Sequence, residues 1–155
     1  MKRKFLPYLV FILLSLAVGA ISSLAVNSGM PAYQLAEKPP LTPPAIVFPI
    51  VWTILYLLMG FSAARIWNSG AETRQSALRI FILQLLLNAL WSVWFFGYQA
   101  YLFAFFWLLL LIAAIVAMLC AFYRIDPLAA LLQLPYLLWC CFAAYLNLGV
   151  WWLNH

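Results

Sequence analysis

The chain has 155 residues, of which 69% are hydrophobic and 7% charged, with a net charge of +5 at pH 7. A mean hydropathy of +1.07 excludes an ordinary water-soluble domain, which is nearer half apolar and a quarter charged, so the outer surface must face lipid. The positive balance does not read as nucleic-acid binding, because three basic residues stand at the N-terminus and the others are scattered at the ends of apolar runs.

Crossing a bilayer core takes about 20 apolar residues at about 1.5 Å of rise each. Five runs meet this, at about 5–26, 45–67, 78–97, 101–123 and 128–153, and predict an all-α integral membrane protein, a five-transmembrane-helix bundle in one domain spanning 1–155. The first run follows "MKRK" and is longer than the core of a secretory signal, so it is read as a retained helix. An outer loop over about 27–44 follows, opened by "NSGMP" and closed by the proline-rich "KPPLTPP". "NSGAETRQS", "GYQA" and "RIDP" punctuate the remaining runs.

If the helices alternate, Lys2, Arg3, Lys4, Arg65, Arg74, Arg79 and Arg124 fall on one side and Lys38 alone on the other. The positive-inside bias then places the N-terminus in the cytoplasm, and the first loop and C-terminus outside, in what is expected to be a bacterial cell membrane. No repeat of 20 to 50 residues is visible, and five spans do not divide into inverted halves, which counts against common transporter architectures.

Charges inside spans mark ion paths, and here every charge lies in a loop or near a span end. The polar groups within the spans are mostly neutral, and several share helical faces. Gln84, Asn88, Trp91 and Phe95 form one stripe, Trp139, Ala143 and Asn147 another, and Phe48, Trp52, Tyr56 and Met59 a third. Such stripes either pack helices together or, facing one another, form an aromatic slot for a flat hydrophobic ligand. Small-residue stripes at Ser15, Gly19 and Ser23, and at Ala113, Ala117 and Ala121, allow close helix approach within the bundle or in a dimer.

Cys120, Cys140 and Cys141 read as small apolar fillers, with no metal-ligand spacing to the terminal His155. The only acids, Glu37, Glu72 and Asp126, lie in loops, so acid–base, nucleophilic and metal-dependent catalysis are not expected.

"KPPLTPPAIVFPIVWTILYLLMG", "QLLLNALWSVWFF" and "LPYLLWCCFAAYLNLGVWWLN" together resemble the translocator protein or tryptophan-rich sensory protein family (TspO/MBR, the peripheral benzodiazepine receptor family) over nearly the whole chain. The resemblance implies a commonly dimeric bundle whose first loop closes a cavity, with no tightly bound cofactor. It implies binding of porphyrins such as protoporphyrin IX, as ligand or substrate, and of benzodiazepine-type ligands. By the same resemblance the pocket comprises Trp52, Asn88, Trp91, Trp139, Ala143, Leu146 and Asn147, with Tyr33 and Pro43 from the loop. Trp52 and Trp139 are placed together at the porphyrin, where they would carry any photochemistry.

Two positions depart from the family pattern: Leu41 stands where a loop tryptophan is usual, and no Lys or Arg follows Tyr145. An aromatic loop contact and sterol recognition are correspondingly not expected. The readings in order are a porphyrin-binding receptor or carrier acting in tetrapyrrole regulation or transport, an enzyme degrading protoporphyrin IX in light, and a packing or interaction protein.

Overall fold

In lipid a backbone group has no water to bond, so an apolar run stays helical until a polar loop or a proline releases it. The structure, a computed structural model, describes residues 2–155. Its helices are α1 (Lys2–Leu35), α2 (Val47–Asn68), α3 (Arg74–Ser92), continued by a π-helical turn (Val93–Gly97), α4 (Tyr101–Tyr123), α5 (Pro127–Leu131) and α6 (Leu134–Leu153). Five spans are long and apolar enough to cross a membrane, α5 and α6 together making the fifth. The side chains of Lys2 and Arg3, counted in the charge asymmetry, lie outside what is described.

The first helix corrects the expected end near residue 26 and the loop over 27–44, because "NSGMP" stays helical and Pro31 lies inside α1. Serine hydroxyls are absorbed by the helix itself: Ser23 donates to the Ala20 carbonyl at 2.6 Å and Ser28 to that of Ala25 at 2.8 Å. Gly29 lies directly against the Phe96 backbone, so the π-helical turn holds this stretch in place. The connecting loop is only residues 36–46.

Two prolines shape the next boundaries. Pro49 falls in the first turn of α2, where its missing N–H is one that no intrahelical acceptor would have met, so it costs the helix little. Pro135, in the first turn of α6, has no N–H to bond the Leu131 carbonyl and its ring would clash with it, so the helix cannot run through unbroken. The expected single helix over 128–153 is accordingly two helices separated at Leu132 and Gln133, and the Gln133 Nε2 donates to the Leu58 carbonyl at 3.1 Å.

α1 packs on α2 and on the π-helical turn, α3 on α4, and α4 on α6. Along α4, Leu108, Leu111, Ile115, Met118 and Phe122 are buried, while Phe103, Phe106, Leu110 and Val116 are exposed as lipid-facing positions. Ala113 and Ala117 share that outer face.

At the end that carries Lys4, Asn68 donates to the Lys4 carbonyl at 2.9 Å, and Arg65 Nε meets Asp126 Oδ2 at 2.8 Å. Asp126 also caps α5 by accepting from the Leu128 and Ala129 N–H groups. Partial burial pushes the Asp126 carboxyl up, but the bonds from Arg65, Ala129 and Leu128 outweigh it and hold it below its ordinary value. A carboxylate depressed on folding adds stability above its unfolded value, and that stability is lost as pH falls through the folded one. Asp126→Ala is expected to cost about 1–2 kcal/mol at neutral pH. The gap to wild type should narrow below about pH 4. Thermal unfolding in detergent measures both, and a gap unchanged at low pH would remove the carboxylate from the explanation.

Candidate functional site

Where α1 leaves α2 to reach the π-helical turn, a cavity of about 450 Å³ opens between α1, the first half of α2, the end of α3, the π-helical turn and α6. That volume lies in the range of small-molecule sites. Of the twelve residues expected at a site, eight line it: Tyr33, Phe48, Trp52, Tyr56, Trp91, Phe95, Ala143 and Leu146. Tyr33 does so from α1, not from a loop, because the helix runs on to Leu35.

The aromatic wall is continuous. Trp91 stacks on Phe95 at 5.5 Å between ring centroids and lies 6.3 Å from Trp52, which is 5.7 Å from Tyr56. Tyr33 packs on Phe95 and Phe96 at 5.8 and 5.5 Å.

Two expected contact residues stand behind this wall. The Trp91 Nε1 donates to Asn147 Oδ1 at 3.1 Å, and Asn147 Nδ2 donates to the Tyr101 carbonyl at 2.7 Å. Asn147 therefore holds the Trp91 ring. The Tyr56 hydroxyl donates to Asn88 Oδ1 at 2.8 Å, Asn88 Nδ2 to the Tyr136 hydroxyl at 2.8 Å, and that hydroxyl to Gln84 Oε1 at 2.7 Å. This chain of neutral groups fixes the Tyr56 ring from behind, and all its members are buried.

Trp139 stands apart from the other expected site residues. It lies in a separate apolar groove between α2 and α6, with Val51, Leu55, Pro135 and Leu138, and its ring neighbours are Phe48 at 5.9 Å and Phe142 at 5.7 Å. Trp52 thus lines the cavity, whereas Trp139 lines the neighbouring groove and touches the cavity only through Phe48. Spacings of four overshoot a helical turn by about 40° each, so Trp139 is rotated about 80° from Asn147. Ala143 and Leu146 remain on the cavity side.

Pro43 also stays outside the lining, and from residues 36–46 only Ala45 reaches it. The loop is strapped to α6 instead. The Glu37 N–H donates to Asn154 Oδ1 at 2.9 Å, Asn154 Nδ2 donates to the Glu37 carbonyl at 2.8 Å, and the Tyr145 hydroxyl to the Pro40 carbonyl at 2.8 Å. Pro39 rests on Gly149, where any Cβ would meet its ring at about 2.6 Å. Leu41 turns with φ 69°, is 81% exposed and is not part of the cavity lining.

Sequence reasoning missed the contribution of α1. Gly19, Ser22, Ser23, Val26, Asn27 and Met30 all line the cavity. The signal was present, since Gly19, Ser23 and Asn27 recur at intervals of four, but it reads equally as a packing stripe. Gly19 carries both roles: an added Cβ would lie 2.6 Å from the Tyr56 ring. Ser23, Asn27, Pro49 and Thr53 line the cavity and are also exposed, so it opens sideways between α1 and α2.

The model of the TspO/MBR family matches residues 11–153. The chain belongs to this family. With five apolar spans, this TspO/MBR protein is an integral membrane protein. It is 38% identical over 157 residues to the tryptophan-rich protein TspO of Chlorobaculum tepidum, covering 99% of both chains. A tryptophan-rich protein TspO of Archaeoglobus fulgidus is 38% identical over 144 residues, covering 92% of this chain and 94% of its own. The human translocator protein is 37% identical over 132 residues, covering 83% and 78%.

Proposed function

We propose that this TspO/MBR protein is a membrane receptor or carrier that binds porphyrins, protoporphyrin IX among them, and other flat apolar ligands in the cavity between α1, α2, α3 and α6. A role in tetrapyrrole regulation or transport follows from such binding. The observation that carries the reading is the wall of Trp52, Trp91 and Phe95. It offers broad π-faces for a flat ring, while Tyr56 and Trp91 spend their polar atoms on partners behind.

Light-driven porphyrin degradation is the competing reading. It routes an electron through both Trp52 and Trp139, and only Trp52 lines this cavity. The same proposal places the protein in a bacterial cell membrane with its N-terminus in the cytoplasm. It includes a homodimer, with the exposed Ala113 and Ala117 face of α4 as the close-approach stripe.

Titrating protoporphyrin IX against intrinsic tryptophan fluorescence tests the site. Saturable quenching is expected in the wild type. Ala143→Thr adds a branched side chain to the cavity wall, where overpacking costs about 1–3 kcal/mol, and should weaken binding about ten-fold with the fold retained. Absence of saturable quenching would overturn the receptor reading.

A further inference from the structure

Beyond Tyr33, at the end of α1, the Lys38 ammonium lies over the Tyr33 ring, 5.1 Å from its centroid. It donates to the Gln34 and Ala36 carbonyls, both at 3.0 Å. These bonds cap the helix and fix the position of the charge. They do not exhaust it, because an ammonium has three N–H donors and neither carbonyl neutralises it.

No carboxylate pairs with Lys38: among the described residues the one ion pair is Arg65–Asp126, at the opposite end of the bundle. Neighbouring Glu37 is engaged with Asn154 through its backbone. Lys38 is also the single lysine or arginine between Lys4 and Arg65. A fixed, unneutralised cation therefore stands one aromatic ring away from a cavity whose side-chain lining carries no charge.

We propose that Lys38 is the anchor for a ligand carboxylate, so that the site prefers planar apolar rings bearing carboxylate arms over their neutral counterparts. The inference rests on the porphyrin-site reading and names its ligand class. The ring lies against Trp52 and Trp91, and the acid arm extends past Tyr33 to the ammonium, where the loop meets water. Burial of the ring and retention of the acid at the interface are then satisfied together.

The test compares protoporphyrin IX with its dimethyl ester in nanodiscs of neutral phosphatidylcholine, read by tryptophan quenching. The ratio of the two dissociation constants is compared between wild type and variants, which cancels the different partition of the ligands into the bilayer. Lys38→Met is expected to cut the preference for the acid about five-fold and leave diester binding unchanged, while Lys38→Arg retains the preference. In the wild type, raising the salt concentration should weaken the acid and spare the diester, a readout that does not depend on any variant folding. An unchanged ratio in Lys38→Met, or equal salt sensitivity of the two ligands, overturns the anchor alone. Failure of both ligands to bind saturably overturns the porphyrin reading and the anchor with it.

Discussion

Gly60→Ala is expected to destabilise the bundle by about 3 kcal/mol or more, at or beyond the upper end of ordinary overpacking. In an isolated helix the change would be favourable by about 1 kcal/mol, since alanine is the better helix former. In α2 the added Cβ would lie 2.6 Å from the Ile12 nitrogen and from the Phe11 carbonyl oxygen. Both are backbone atoms of a regular helix, so no rotamer change relieves the clash and α1 must move away bodily. That movement would also widen the angle at which α1 passes Tyr56 through Gly19 and reaches Phe96 through Gly29. Thermal unfolding in detergent measures the effect. Gly97→Ala is the control, because its Cβ would meet only Val93 Cγ1 at 3.8 Å, an ordinary contact. Wild-type stability in Gly60→Ala would show that α1 does not approach α2 so closely.

Asn147→Leu is expected to weaken ligand binding about ten-fold, although Asn147 does not line the cavity. The substitution keeps the number and branching of side-chain heavy atoms, though the two methyls are bulkier, and removes the acceptor of the Trp91 N–H and the donor to the Tyr101 carbonyl. A buried donor left without a partner costs about 1–3 kcal/mol, and bonds between membrane helices reach about 1.7 kcal/mol. The Trp91 indole would then turn to find another acceptor, breaking its stack on Phe95 and its approach to Trp52. Because the effect passes through one N–H, it should largely vanish in a Trp91→Phe background. A double-mutant cycle is expected to give a coupling of about 1 kcal/mol. Additive losses would mean that Asn147 touches the ligand itself.

The aromatic stripe of α2 was readable because Phe48, Trp52 and Tyr56 share a helical face and all three line the cavity. Asn88 and Asn147 read from the sequence as pocket residues; both are buried, and which neighbour lies in hydrogen-bond reach sets them behind the cavity wall. Tyr136 reads from the sequence only as part of a family motif, although it links Asn88 to Gln84, since a tyrosine beside a proline carries no sign of where its hydroxyl ends. The α1 lining was hidden because "NSGMP" has the composition of a water-exposed loop. Its helicity follows from the apolar surroundings and from the Phe96 backbone against Gly29.

By itself the sequence determined the membrane setting, the five spans and the family motifs, because transfer of apolar surface into lipid and the need to satisfy backbone groups depend on local composition. Periodicity also determined each side chain's angle about its own helix axis. It did not determine which surface that angle meets, since this depends on how α1 crosses α2 at Gly60 and returns to α3 at Gly29. Those contacts decided that Trp139 faces a separate groove, that α1 supplies a cavity wall, and that the proline-rich loop is tied to α6. They are made between backbones distant in the chain, where a missing Cβ, not a recognisable side chain, permits the approach.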